Sequence, residues 1–190
     1  LKMNYHKNII YRVKEPDNWP GPERSDFLDK LNKVADGAFG KNTIEGYLSS
    51  ILIYHQLTEE LLKIIFDCSV FYIQLQVFPQ QYTKKDLKGK MFGQIIQELK
   101  HGILDKETKK LINQSQKLNA LRIRMVHKLT LECSLVDIKR QCKQAKKLFD
   151  NIFKLYDDIY DNYRVSFKDF KKHPEELEEV IKAIEKKCKN

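Results

Sequence analysis

Nine residues in the latter part of the chain constrain the fold class most. Leu135, Ile138, Cys142, Ala145, Phe149, Ile152, Tyr156, Ile159 and Tyr163 follow one another at intervals alternating between three and four. A strand turns every second residue to one face, whereas a helix turns every third or fourth. Sustained over this length, the seam describes a long helix packed lengthwise against others, in the heptad manner of helical bundles. Cys142 and Ala145 are small, so a neighbouring helix is expected to approach closely there.

Similar periodicity recurs upstream. A helix opens at Asn42 or Thr43 and carries Glu45 in its first turn, where the positive helix end favours an acid. It is apolar around most of its circumference to Phe71, which predicts the most buried element. Leu87, Met91, Ile95 and Leu99 recur every four residues before His101-Gly102, and Asp105 is placed to cap the next helix. The fold class expected is all-α, an antiparallel bundle of four long helices with additional short helices. Helices are predicted near 25–36, 43–74, 83–101, 105–129, 134–164 and 174–188. Ser25 is expected to cap the first of these and Asp36-Gly37 to end it. Residues 1–24 contain Pro16, Pro20 and Pro22 and are expected to form an irregular arm or short strand anchored by Trp19. Residues 25–190 are expected to form one helical-bundle domain.

Charge narrows the partners. The net charge of +9 is concentrated between Thr83 and Lys147, which hold 17 Lys/Arg against 6 Asp/Glu. Such a field suits an anionic partner such as RNA, although a solvated lysine-rich helix surface has the same composition. Cys68, Cys133, Cys142 and Cys188 lack zinc-ligand spacing and read as reduced thiols. Asp157, Asp158 and Asp161 read as a solvated acidic face rather than a metal site. No Gly-rich phosphate loop occurs, so no metal or cofactor is expected. No signal peptide or membrane-length apolar run is visible, which predicts a cytoplasmic protein without a membrane partner.

The chemistry candidates lie in Leu121–Lys128. Leu111, Leu118, Leu121, Met125 and Leu129 share one helix face, and Arg122 lies at its edge. A guanidinium there is partly desolvated and needs an anionic partner or ligand. His127 adds an imidazole, the side-chain type whose unperturbed pKa lies near neutral pH. Five helical steps rotate by about 140°. The pair therefore shares a site only if the helix loosens at its end or if two protomers lend each other groups. Arg124 is the natural second phosphate ligand, and Lys128, Arg140 and Lys143 extend the basic surface. Glu59 or Glu60 is expected to hold Arg122 across the bundle. His55 reads as a core hydrogen-bonding group, and His6, His101 and His173 as structural or solvent-facing. Leu148, Phe153 and Tyr160 widen the apolar seam beyond what one partner helix covers, which predicts a homodimer.

The run Arg122-Ile123-Arg124-Met125-Val126-His127 resembles the motif of the HEPN family of helical ribonucleases and RNA-binding domains, an Arg followed after four to six residues by His. The resemblance spans roughly residues 42–165, and its specific part is the six-residue motif. It implies an up-and-down helical bundle that dimerises with two motifs facing one cleft. It further implies metal-independent RNA cleavage of the toxin or defence type, with a cognate antitoxin protein as a further partner. On this resemblance Arg122 contacts the phosphate and the transition state, and His127 is the general acid or base. Ile123 stands where the family usually has a polar residue, and non-catalytic members exist. A dimeric module that docks RNA or a partner protein therefore stays open beside the ribonuclease.

Overall fold

A computed structural model describes residues 2–83, 86–102, 105–127, 129 and 134–187. Over these residues the chain is all-helical, with seven α-helices and no strand. They are α1 (Lys2–Lys14), α2 (Ser25–Gly40), α3 (Ile44–Gln76), α4 (Phe92–Lys100), α5 (Lys106–His127), α6 (Leu135–Lys172) and α7 (Pro174–Lys187), with a 3-10 turn at Pro16–Asn18.

Helix α3 is the centre, as its all-round apolarity predicts. It packs against α2, α4, α5 and α6. Its partnership with α6 is the most extensive, and the pairing is parallel. The Cys142 thiol donates to the Tyr47 carbonyl at 3.6 Å near one end. Tyr54 stacks on Phe149 at 4.8 Å further along. Phe71 meets Phe167 edge-on at 4.9 Å towards the other end. The small Cys142 and Ala145 are 1% and 0% exposed, so the close approach expected there is present. Helix α2 returns against α3 through a tight turn, and α5 runs antiparallel to both α3 and α6. Tyr54, Asp36 and Lys146 tie α2, α3 and α6 together. The tyrosine hydroxyl donates to Asp36 Oδ1 at 2.6 Å, and Lys146 Nζ reaches the same oxygen at 2.7 Å. Burial alone would raise the Asp36 pKa, but the Lys146 and Tyr54 hydrogen bonds outweigh it and hold the carboxyl below its ordinary value.

Several boundaries follow the sequence. Thr43 Oγ1 accepts from Gly46 N at 3.1 Å, Asp105 Oδ1 from Thr108 N at 2.6 Å, and Ser134 Oγ from Asp137 N at 3.2 Å. Each satisfies an orphan amide at a helix start.

Other expectations are corrected. Residues 2–14 are a helix, not an irregular arm or short strand. His6, Ile9, Ile10 and Val13 recur on one face and are buried. Trp19 does anchor the following segment: its Nε1 donates to the Val13 carbonyl at 3.2 Å and its ring meets Phe167 edge-on at 5.6 Å. Helix α2 begins at Ser25 with Arg24 in the capping position, and it runs through Asp36-Gly37 to Gly40. Of the helix expected over 83–101, only α4 is helical among the described residues, and residues 84–85 lie outside them. Gly89 is left-handed, with φ at +72°, and Asp86 Oδ1 accepts from Lys88 N at 2.8 Å in a local turn. Helix α6 passes residue 164 and continues to Lys172. Ser166 returns its hydroxyl to the Asn162 carbonyl, and Phe167 buries itself fully, so nothing stops the helix before Pro174.

The lateral stripe expected to need a second copy is largely covered from within the chain. Leu148 is buried, Phe153 and Tyr160 pack half-buried on the core, and Tyr160 stacks on Tyr156 at 5.6 Å.

The α2–α3 turn generates a test with opposite signs. Asn42 adopts φ +56°, and a Cβ added at Gly46 would lie 2.3 Å from the Ala38 carbonyl oxygen. That neighbour is backbone and cannot swing away. Gly37, inside α2, has nothing within 4 Å of such a Cβ. Gly46→Ala should destabilise by about 1–3 kcal/mol through overpacking. Gly37→Ala should stabilise by roughly 0.5–1 kcal/mol by restricting the unfolded chain. Paired urea melts read both; a stabilising Gly46→Ala would refute the close contact.

Candidate functional site

Helix α5 carries the Arg/His motif, and helical geometry decides where each side chain goes. Because α5 stays helical through His127, Arg122 and His127 point about 140° apart. Arg122 is half-buried and turned towards α3, while His127 is exposed at the last helical position. Within one chain the motif is split between an inner and an outer face. Arg124 is exposed on the His127 side, three residues earlier.

The remaining predicted residues are scattered differently. Lys128 lies outside the described residues. Arg140 is exposed and paired with Asp137 at 2.7 Å, one turn away. Lys143 is exposed on the same helix. Glu59 and Glu60 hold Lys63, at 3.1 and 2.7 Å, on the outer face of α3. Lys63 thus occupies the two carboxylates that were expected to bind Arg122. The Arg122 Nε is buried and has no hydrogen-bond partner.

The Arg122 charge acts instead on His55, one of the residues expected to be purely structural. His55 lies on α3, 8% exposed, and its Nε2 is 2.9 Å from Asn119 Oδ1 on α5. Because an amide oxygen only accepts, this contact makes Nε2 the protonated ring nitrogen. The ring also tilts against Phe92 of α4 at 4.9 Å. Asn119 is one turn before Arg122, so both project towards the same part of α3. Burial pushes the His55 pKa down, and the Arg122 charge pushes it further; the Asn119 hydrogen bond and Glu59 oppose this without reversing it. Beside the trio runs a groove of about 250 Å³ between α4 and α5, with Phe92, Ile96 and Ile123 as apolar lining and Gln97, Gln116 and Asn119 as amides.

His55 and Asn119 carried only a weak sequence signal. A histidine in the most apolar helix reads as a core residue, and only the spacing of Asn119 from Arg122 put an amide on the guanidinium's side. Elsewhere the nucleophile candidates are quiet. Cys68 and Cys142 are buried free thiols, and burial pushes Cys142 up to about 12. Cys133 and Cys188 lie outside the described residues. Among the described residues no cluster of three or more His, Cys, Asp or Glu could hold a metal, and no helix is long and apolar enough to cross a membrane.

The Arg122–His55 juxtaposition has a pH consequence. A histidine with a depressed folded-state pKa leaves the protein fully stable above its ordinary value, about 6.5, and less stable as pH falls below it, because the unfolded chain takes the proton first. Stability should therefore decline on acidification below about pH 6.5, and His55→Gln should flatten that part of the curve. Arg122→Gln should raise the His55 pKa, read from its imidazole Cε1–H resonance; an unmoved titration would mean that the two groups do not face each other. No protein-family model matches this chain, nor does any curated protein or solved structure, so the site's chemistry is read from its own residues.

Proposed function

We propose that this chain is a HEPN-like metal-independent endoribonuclease that works as a homodimer. In this reading helices α2, α3, α5 and α6 form the family's bundle. Chain neighbours run in opposite directions, and α3 and α6 run parallel at its centre. The observation that carries the reading is the split of the motif on α5, with Arg122 turned inward and His127 exposed at the helix end. A composite site is the arrangement that uses both. One protomer's exposed His127 reaches the Arg122 edge of the other across a two-fold axis, where an isologous contact repeats itself. Arg122 then neutralises the phosphate as charge builds in the transition state. His127 takes the proton of the ribose 2′-hydroxyl or returns one to the leaving oxygen. Arg124 extends the cation field from the same helix end, Arg140 and Lys143 extend it from α6, and Lys128 is the next lysine in the sequence. The cytoplasm is the compartment that this reading implies, and an antitoxin protein covering the paired motifs is the partner that would restrain the enzyme.

A second reading has its own observation. Ile123 is 41% exposed and Val126 38%, so apolar side chains flank the motif on the α5 surface. A site built for proton transfer around phosphate is usually polar there. These residues favour a non-catalytic dimeric module that docks RNA or a protein through the same surface.

Purified protein incubated with total RNA in EDTA separates the readings. Cleavage should survive the chelator, and Arg122→Ala and His127→Ala should each lower the rate about 100- to 1,000-fold or more. Because Glu59 and Glu60 are held by Lys63, removing Arg122 leaves neither of them unpaired, and both variants should unfold within about 1 kcal/mol of the parent. Binding to single-stranded RNA should weaken steeply between low and high salt as counterions are released. RNA binding without cleavage would select the docking module. Cleavage by a protein that sediments as a monomer at tens of micromolar would defeat the composite site.

A further inference from the structure

We propose that His55, Asn119 and Arg122 form an oxyanion site within one chain, at the meeting of α3, α4 and α5, for a phosphate-type group. Three observations converge there. The buried Arg122 Nε is a donor without a partner. Asn119, one turn earlier on α5, already holds the His55 ring by its Nε2 at 2.9 Å, leaving Nδ1 as the nitrogen that gains a proton. The two carboxylates expected from the sequence to bind the guanidinium are engaged by Lys63. A guanidinium with an unspent N–H on a half-buried stem is built for a tetrahedral oxyanion, which accepts along the fork that Arg presents.

The arrangement couples the anion to a proton. The groups that face His55 are Glu59 on its own helix, Arg122 and Asn119 from α5, and from α4 the uncharged Phe92 ring. With no anion bound, Arg122 disfavours imidazolium. An anion on Arg122 cancels that repulsion, and a proton from solvent adds at His55 Nδ1. No covalent bond changes. By reciprocity, protonation of His55 must then tighten anion binding by the same factor. His55 is thus a positioning residue that sets the charge state of the site. The phosphodiester of RNA and a free anion offer the same chemistry; the RNA case rests on the function proposed above, whereas the site itself does not.

The test is an imidazole NMR titration of the intact wild-type chain at fixed ionic strength. The probes are sodium sulfate and, separately, a short oligouridylate, whose charges stay constant between pH 5.5 and 7.5. The His55 resonance, assigned with His55→Gln, should shift on ligand addition, and its midpoint should move to higher pH. Binding should be about fivefold or more tighter at pH 5.5 than at pH 7.5. His55→Gln should bind with that pH dependence lost, and Arg122→Gln should not bind. A response to sulfate alone identifies a free-anion site, and a response to both identifies an RNA phosphate site. No His55 response to either probe overturns the proposal, whatever the variants do. If RNA is never cleaved or bound but sulfate still moves His55, the ribonuclease reading falls and this site stands. If RNA is cleaved through Arg122 and His127 while His55 stays silent, the reverse holds.

Discussion

The close parallel packing of α3 against α6 is the contact on which the other helices depend. Both helices are long, and both place aromatic rings at the interface, with Tyr54 on Phe149 and Phe71 on Phe167. Before these rings, at the Tyr47 end of the interface, Cys142 and Ala145 are small enough to let the backbones come together. Burial of such rings removes on the order of 150–250 Å² each from water and dominates core energetics. The remaining helices cover what this pair leaves open. Helix α2 closes one side of α3, α4 and α5 close the other, and α1 and α7 cover one end.

That central pair was legible in the sequence because its signal is long. The alternating interval from Leu135 to Tyr163 repeats often enough to leave no other secondary structure, and small residues in the seam announced the close approach. Short elements were harder to read. In α1 the burial pattern of His6, Ile9, Ile10 and Val13 is a helical one, but it covers two turns and runs into a proline-rich stretch. Around Gly89 the four-residue spacing of Leu87 and Met91 imitated a helix. A left-handed glycine and an aspartate turn outweigh it. The end of α6 lies beyond the expected residue 164, since the apolar seam read from the sequence stops at Tyr163 while the helix continues to Lys172. The burial of Phe167 falls past that point.

The site divides in the same way. Spacing alone placed Arg122 and His127 on different sides of α5, since that follows from the helical pitch. The carboxylate partner expected for Arg122 did not follow, because a helix can satisfy its own acids. Lys63 lies three and four residues beyond Glu60 and Glu59, and local ion pairs form without crossing the core. The part of the site that needs tertiary structure, the imidazole of His55 held by Asn119, depends on how α3 and α5 are aligned lengthwise. No local pattern reports that alignment.

Helix α1 has one more consequence. It rests against elements made long after it: at its exposed edge Lys14 pairs with Glu178, and on its buried face His6 Nε2 lies 2.8 Å from the Pro79 carbonyl oxygen. Contacts so distant along the chain close large loops and come late in any order of assembly. During synthesis the α1 face, with Ile9 and Val13, must therefore wait in water while the central helices are made. Helix α1, made before α2 to α7, can dock only once the ends of α3 and α6 exist, so its apolar face is held open through most of the synthesis of this bundle.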